Sequence, residues 1–160
     1  MPSVLFICTA NQFRSPIAES YLKEKLKLAG LLEDWQVSSA GTWATKGQPA
    51  HPLAVKAATG IGLDLSEHRS KPITAGLLER SHLVIVMEND HKESLQTEFP
   101  DSQSKVILLT ELVGETMSNV PDPVVDKNFN PVEVTDMICH ILDDGFNNLV
   151  ALAKNNGHKK

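Results

Sequence analysis

The segment VLFICTANQFRSPIAES, residues 4–20, decides the fold of this chain. It opens on a continuous apolar run that predicts a central strand over Ser3–Ile7, buried on both faces. Cys8 then follows at the carboxyl end of that strand, where ligands bind in open α/β sheets. The Ser-Pro pair is typical of a helix start, with Ser15 near the N-cap and Pro16 at the first helical position. The segment therefore predicts a strand, a loop and a helix in succession.

The rest of the chain repeats this alternation, without an internal repeat, low-complexity tract or linker. Short strand-like runs between the helical stretches predict strands at Gln36–Ser39, His82–Met87 and Lys105–Leu108. Helical patterns predict helices near Pro52–Ile61, Asn89–Glu98 and Pro131–Lys154. Strands that alternate with helices predict an α/β fold with a parallel sheet.

Composition limits the function classes. A length of 160 residues with 41% hydrophobic and 22% charged side chains predicts a single globular domain over residues 1–160. A net charge of -5 argues against a general nucleic-acid binder but leaves room for a local cationic pocket and anionic substrates. The two cysteines, Cys8 and Cys139, predict neither a disulfide framework nor a zinc site. Because no leader pattern or long apolar span is found, we expect a cytoplasmic protein without a membrane span.

Two residues of the opening segment point to chemistry on an anion. Backbone N–H groups and a helix N-terminus attract negative charge, which favours the thiolate of Cys8 and an anion above it. Arg14 adds a planar set of N–H donors that matches two oxygens of a phosphate. The alternative is a buried strand-end cysteine with a solvated loop arginine, and the Cys-x5-Arg spacing alone does not decide between the two.

A thiolate that displaces an alkoxide or phenolate needs an acid to protonate the leaving oxygen, and Asp122 is the candidate. Pro121 and Pro123 restrict the backbone on both sides of it and can hold its carboxyl over a site. An Asp-Pro pair in a loop is also typical of an ordinary turn, so the residues alone leave both interpretations open.

The opening segment resembles the amino terminus of the low-molecular-weight protein tyrosine phosphatases, whose signature is a Cys-x5-Arg-Ser-Pro loop after the first strand. The similarity continues in family order through VSSAGT, HPLAVKAATGIGLDLSEHRSKPIT, SHLVIVME and VPDP, at residues 37–42, 51–74, 81–88 and 120–123. The resemblance implies a three-layer sandwich with a four-stranded parallel sheet flanked by helices. It also implies hydrolysis of phosphotyrosine monoesters without metal or cofactor. Cys8 would form a phosphocysteine intermediate, Arg14 would bind the phosphoryl group, and Asp122 would act as general acid and base.

The resemblance also implies which residues bind substrate and which support the loop. Asparagine tolerates a positive φ, which suits Asn11 to a tight loop. By resemblance, Asn11 organises a hydrogen-bond network whose other members are Ser15, Ser39 and His68, and Ser15 donates toward the Cys8 sulfur. Without the family, Ser39 is an ordinary strand-end serine and His68 a surface histidine. The implied substrate-binding residues are Thr9, Ala10, Asn11, Gln12, Phe13, Ser15 and Trp43, and Pro123 is a further supporting residue. Trp43 is either an apolar wall of the substrate cleft or a partly buried loop aromatic.

Departures from the family pattern leave the substrate open. Ala10 stands where glycine is usual, Phe13 where many relatives have a second cysteine, and Val124 where an aromatic residue follows the Asp-Pro. Gln12 matches neither the isoleucine of the tyrosine phosphatases nor the threonine of the related arginine phosphatases. The alternatives are therefore a protein arginine phosphatase, an arsenate reductase of the same fold, and a noncatalytic anion-binding module. The arsenate reductase would need further redox cysteines.

The expected partners follow from the same resemblance. They are phosphotyrosine-containing proteins, a tyrosine kinase among the candidates, with phosphate, sulfate or vanadate as loop ligands. A mildly acidic pH optimum is expected, because Cys8 must be ionised while Asp122 is protonated.

Overall fold

A four-stranded parallel sheet forms the centre of the protein in the computed structural model, which describes residues 1–115 and 118–159. The strands lie in the order β2-β1-β3-β4. Their bounds are β1 Ser3–Cys8, β2 Gln36–Gly41, β3 Leu83–Val86 and β4 Val106–Leu108. All three strand pairs are parallel, so the α/β class and the four-stranded parallel sheet are confirmed.

Helices connect the strands and cover both faces of the sheet. Their bounds are α1 Arg14–Leu28, α2 Pro52–Thr59, α3 Ala75–Arg80, α4 Asn89–Glu98, α5 Pro131–Asp144 and α6 Phe146–Gly157. Short 3₁₀ turns lie at Leu32–Asp34, Pro100–Lys105 and Leu109–Val113.

The alternation of side chains along β1 divides the core into two layers. Val4, Phe6 and Cys8 face a cluster that holds the apolar sides of α1, α5 and α6. Leu5 and Ile7 face a second cluster that includes residues of α3 and α4. Every residue of β1 is buried, because a central strand between two helical layers has no face in water.

The register of the sheet brings the carboxyl ends of the strands to one edge. Cys8 at the end of β1 is paired with Gly41 at the end of β2, and Ile7 is paired with Val86 at the end of β3. The loops that follow β1, β2 and β3 therefore begin side by side, which is where the chemistry of an open α/β sheet is expected.

The prediction of one helix over Pro131–Lys154 is wrong, because the chain breaks at Gly145 into α5 and α6. A Cβ atom at Gly145 would lie 2.6 Å from the Cβ atom of Leu112 and 2.9 Å from the Ile141 carbonyl oxygen. The close approach of these groups requires glycine, and the break lets α6 turn toward β3.

Two further differences concern helix starts. The first helix begins at Arg14 with Phe13 at the N-cap, so Ser15 lies inside it rather than at its cap. Pro16 is compatible with this place in the first turn, because the first N–H groups of a helix have no intrahelical partner and the missing N–H of proline breaks no hydrogen bond. The short helix α3 is absent from the sequence prediction and is capped by the Thr74 side chain, which accepts from the Leu77 N–H at 3.1 Å.

Candidate active site

The loop between β1 and α1, residues 9–13, turns its carbonyl groups outward. The carbonyl oxygens of Cys8 and Thr9 accept from the N–H groups of Thr42 and Trp43, each at 2.9 Å. The Gln12 carbonyl oxygen accepts from the His51 N–H at 2.8 Å. Since a trans peptide places each C=O opposite the next residue's N–H, the amides of residues 9, 10 and 13 face the inside of the loop. Backbone amides that face one hollow in this way can bind an anion.

Cys8 lies at the end of β1, buried, with the Ser15 hydroxyl 2.9 Å from its sulfur. The Ser15 oxygen accepts from the Asn11 side-chain amide at 2.9 Å, so its own proton is available to the Cys8 sulfur. The first turn of α1 adds the positive end of a helix dipole to the same place.

Asn11 is buried at the centre of a network that holds the loop. Its side-chain amide also donates to the Ser39 hydroxyl at 2.9 Å, and its side-chain oxygen accepts from the Lys71 N–H at 3.0 Å. The His68 ring donates from Nε2 to the Asn11 carbonyl oxygen at 2.7 Å. The φ of Asn11 is 58°, the one positive value at a non-glycine residue in the described part of the chain. The structure thus brings together Asn11, Ser15, Ser39 and His68.

Arg14 is the most buried charge of the site, with 1% of its surface exposed. Its Nη1 atom donates to the Glu88 carboxylate and to the Val120 carbonyl oxygen, the latter at 2.8 Å. Its Nη2 atom lies 3.5 Å from the Thr9 hydroxyl and 3.4 Å from the Asp122 carboxylate. A guanidinium held on one edge by Glu88 and Val120 is fixed in orientation, and its other edge is turned toward Asp122.

Asp122 reaches the site from a loop tied to the sheet. Its Oδ1 atom accepts from the Val124 N–H at 3.0 Å, across Pro123. Val120 lies two residues earlier, and its N–H donates to the Met87 carbonyl oxygen at 2.8 Å, directly after β3. The Oδ2 atom faces Arg14, so the carboxyl group can contact both the guanidinium and a substrate bound beside it.

A cleft of about 630 Å³ opens beside Asp122. Its lining combines apolar and acidic side chains, among them Glu88, Asp126, Phe129, Glu133 and Met137. Trp43 is not among its lining residues, and 87% of the Trp43 surface is exposed. Trp43 is therefore an exposed aromatic rather than a partly buried one, and its backbone N–H donates to the Thr9 carbonyl oxygen.

The remaining loop residues have separate surroundings. The Gln12 side chain donates to the Pro49 carbonyl oxygen at 3.2 Å, so it bridges to the segment that precedes α2. Phe13 is buried in the core layer that contains α1. Ala10 lies half-buried between Thr9 and Asn11.

Two polar residues at the site, Glu88 and His91, were missed by the sequence analysis. Glu88 precedes α4 and binds Arg14, and His91 lies in the first turn of α4 with its Nε2 atom 2.9 Å from the Thr9 hydroxyl. The signal for Glu88 was its place just after the apolar strand beside β1, at the edge where Cys8 lies. His91 had a weaker signal, since its three-residue spacing from Glu88 matches that of a helix-capping pair.

Cys139 is half-buried in α5 and forms no disulfide. Burial, followed by the charges of Asp143 and Asp136, raises the pKa of its thiol to about 12. Cys139 is therefore a weak nucleophile near neutral pH.

Within residues 1–115 and 118–159, no group of three or more His, Cys, Asp and Glu side chains could hold a metal ion. None of the helices in that part of the chain has the length and apolar character needed to cross a membrane.

Comparison with known proteins identifies relatives over most of the chain. A family model described as "Low molecular weight phosphotyrosine protein phosphatase" matches residues 3–156. The "Probable low molecular weight protein-tyrosine-phosphatase EpsP" of Ralstonia nicotianae is 34% identical, over 69% of this chain and 72% of its own length. The "Protein-arginine-phosphatase" of Bacillus subtilis is 36% identical, over 75% of this chain and 78% of its own. The crystal structure of a YwlE mutant from Bacillus subtilis superposes with a TM-score of 0.85 and 31% identity, covering 93% of this chain and 99% of that one.

Proposed function

The chain belongs to the low molecular weight phosphotyrosine protein phosphatase family, and from that membership we propose that it hydrolyses phosphotyrosine monoesters on proteins through Cys8. The observation that carries this assignment of roles is that Cys8 and Arg14 flank one loop, and Asp122 meets Arg14 from a second loop. The Cys8 sulfur lies against the Ser15 hydroxyl, and the Arg14 guanidinium has one edge 3.4 Å from the Asp122 carboxylate. A nucleophile, a cation for phosphoryl oxygens and a proton donor are therefore within reach of one substrate.

The first half of the reaction transfers the phosphoryl group to the enzyme. The Cys8 thiolate attacks phosphorus, an S–P bond forms, and the P–O bond to the leaving group breaks. Arg14 and the inward amides of the loop hold the charge that develops on the equatorial oxygens. Asp122 gives its proton to the leaving oxygen, so that a phenol rather than a phenolate departs.

The second half releases phosphate. Asp122, now a carboxylate, takes a proton from a water molecule that attacks phosphorus as the S–P bond breaks. Inorganic phosphate leaves, the Cys8 thiolate is restored and Asp122 is protonated again. The cysteine and the arginine supply the nucleophile and the positive charge, so this sequence of steps needs neither a metal ion nor a cofactor.

A protein arginine phosphatase is the second candidate function. The cleft beside Asp122 carries the carboxylates of Glu88, Asp126 and Glu133, which suits a cationic guanidinium group. Val124 follows the Asp-Pro, so no aromatic residue is placed there to stack on a phenyl ring. The similarity to the Bacillus subtilis protein-arginine-phosphatase supports the same alternative.

Arsenate reduction and noncatalytic anion binding have weaker support. The reductase needs a second reactive thiol, and Cys139, the other cysteine of the chain, is held protonated in α5. A binding module needs no proton donor beside its anion.

A nucleophilic thiol must stay reduced to act, so we propose a reducing, cytoplasmic location. A tyrosine kinase is one candidate among the protein substrates.

Turnover of p-nitrophenyl phosphate tests the proposed mechanism. Cys8→Ser is expected to lower kcat by on the order of a thousandfold or more, whereas Cys139→Ser, the matched substitution outside the site, retains wild-type turnover. Added chelator leaves the rate unchanged, and orthovanadate competes with the substrate. Equal rates in wild type and Cys8→Ser would overturn the thiolate mechanism.

A change of leaving group tests the acid. Asp122→Asn is expected to lower kcat by about a hundredfold, and the loss is larger for phenyl phosphate, whose leaving group needs a proton more, than for p-nitrophenyl phosphate. An equal loss on both substrates would remove Asp122 from the acid role.

Phosphotyrosine and phosphoarginine peptides of matched sequence separate the two candidate functions by the ratio of their kcat/KM values.

A further inference from the structure

A buried imidazole lies behind the phosphate-binding loop and has no part in the steps derived above. His91 is 4% exposed and lies in the first turn of α4. Its Nδ1 atom is 3.1 Å from the Glu88 backbone nitrogen, and its Nε2 atom is 2.9 Å from the Thr9 hydroxyl oxygen. The ring therefore joins the start of α4 to Thr9, the first residue of the loop.

These two contacts fix the tautomer of the ring. The Glu88 backbone nitrogen is a donor, so Nδ1 must accept and carries no proton. A neutral imidazole then has its proton on Nε2, which donates to the Thr9 hydroxyl oxygen. Burial first, and the nearby positive charge of Arg14 second, lower the pKa of His91 to about 4, so the neutral form is the one present at mildly acidic and neutral pH.

The tautomer determines what the Thr9 hydroxyl can do. His91 Nε2 donates to its oxygen, and the Arg14 Nη2 atom, also a donor, lies 3.5 Å from the same oxygen. Because both neighbours are donors, neither of them can accept the proton of the Thr9 hydroxyl. The same Nη2 atom lies 3.4 Å from Asp122, so the hydroxyl stands beside the edge of Arg14 that faces the substrate.

We propose that His91 is a positioning residue, which orients the Thr9 hydroxyl so that it donates its proton to a nonbridging oxygen of the phosphoryl group. The proposal rests on the phosphatase function proposed above and adds a side-chain donor to the backbone amides of the loop. Glu88 contributes twice, because its carboxylate holds Arg14 and its N–H holds the ring.

A double-mutant cycle tests the proposal with p-nitrophenyl phosphate as substrate and inorganic phosphate as competitive inhibitor. Thr9→Val removes the hydroxyl at nearly constant shape. His91→Asn retains a side-chain oxygen close to the Nδ1 position, so it still accepts from the Glu88 N–H, and loses the donor to Thr9. Each is expected to lower kcat/KM by about tenfold and to weaken phosphate inhibition in parallel, as for a lost hydrogen bond to a charged group.

The double variant is expected to be no worse than either single variant, since both remove one shared contact to the substrate. Thr9→Ser, which restores the hydroxyl, recovers the larger part of the loss. Leu95→Ala is the control, because Leu95 is buried one turn further along α4 and away from the loop. It lowers thermal stability while kcat/KM below the unfolding transition stays at the wild-type value.

Three results would overturn the proposal. The first is an unchanged kcat/KM in Thr9→Val. The second is a His91→Asn substitution that lowers kcat/KM as much in the Thr9→Val background as in the wild type. The third is a kcat/KM in Thr9→Ser that is as low as in Thr9→Val. Should His91→Asn fail to fold, the comparison of Thr9→Val with Thr9→Ser still tests the hydroxyl that His91 is proposed to orient, and equal kcat/KM in the two would overturn the proposal. Loss of turnover in Cys8→Ser is measured separately, so a failure of this proposal is distinguishable from a failure of the phosphatase mechanism.

Discussion

Asn11 combines an unusual backbone conformation with three side-chain hydrogen bonds. Its φ of 58° lies in the left-handed region, where a residue with a Cβ atom is strained and glycine is not. The Asn11 side chain donates to the hydroxyls of Ser15 and Ser39 and accepts from the Lys71 N–H. Backbone shape and side-chain bonds can therefore be separated by two substitutions.

Asn11→Gly keeps the backbone conformation and removes the bonds, whereas Asn11→Ala removes the bonds and adds strain. We expect Asn11→Gly to lower kcat/KM by about tenfold or more, because Ser15 is no longer oriented toward Cys8. Asn11→Ala should in addition unfold more easily, by about 1 kcal/mol. Enzyme kinetics and urea unfolding measure the two effects.

Gly30→Ala is the matched control for strain. Gly30 has a φ of 70° with no atom near its Cβ position, and it follows the end of α1. It should lose stability without losing kcat/KM. Wild-type kcat/KM in Asn11→Gly would show that the network does not support catalysis.

At single positions, the sequence could predict which side chains come together where they lie close to one another along the chain. Cys8, Arg14 and Ser15 lie within one short segment, so their grouping on one loop could be predicted. Glu88 and His91 come from a distant segment that meets the loop only through the pairing of β1 with β3. A lone histidine in a charged helical stretch carries no sign that it is buried.

The end of β2 sets how closely the loop can approach the sheet. A Cβ atom at Gly41 would lie 2.4 Å from the Thr9 carbonyl oxygen and 3.1 Å from the Asn11 backbone nitrogen. No side chain fits there without moving the loop. We expect Gly41→Ala to lower kcat/KM by about a hundredfold, because displacement of a catalytic loop by about 1 Å has an effect of that size.

Gly60→Ala is the control for this substitution. The nearest atom to its Cβ position is a carbonyl oxygen at 3.4 Å, which is an ordinary contact. It should retain wild-type kinetics, as measured on p-nitrophenyl phosphate. Unchanged kcat/KM in Gly41→Ala would show that the loop tolerates displacement.

Among the elements, the strands were predicted within a few residues, and the carboxy-terminal helices were not. β1, β3 and β4 are short apolar runs, a pattern that the local sequence shows directly. The apolar stripe of α5 continues through Leu149 and Ala153 of α6, which are buried in the same core layer. Periodicity therefore hides the break, because what forces it is the packing of Gly145 against Leu112.

At the scale of the whole molecule, the alternation of strands and helices was enough to predict the sheet, while the cleft was not predictable. The cleft depends on how α5 lies against the loop that carries Asp122, and that distance is set by core packing. The acidic net charge gave no hint that the carboxylates of Glu88 and Asp122 would lie beside Arg14.

His91 links the stability of the whole fold to pH. Its pKa is lowered to about 4 in the folded protein, mainly by burial, whereas an unfolded chain protonates histidine near its ordinary value of about 6.5. Protons therefore bind preferentially to the unfolded state below that value, and the free energy of unfolding falls as pH is lowered from about 6.5 to 4. The full contribution is present above this window, and up to about 3 kcal/mol is lost across it.

Urea unfolding between pH 4 and 7 measures this dependence in wild type and His91→Asn. Asparagine does not titrate, so the variant should show a flatter decline on acidification although it is less stable at pH 7. The control is His140→Asn, which removes an exposed histidine of α5 and should keep the wild-type slope. A decline of equal steepness in wild type and His91→Asn would mean that the neutral, buried imidazole behind the loop is not what makes this fold sensitive to acid.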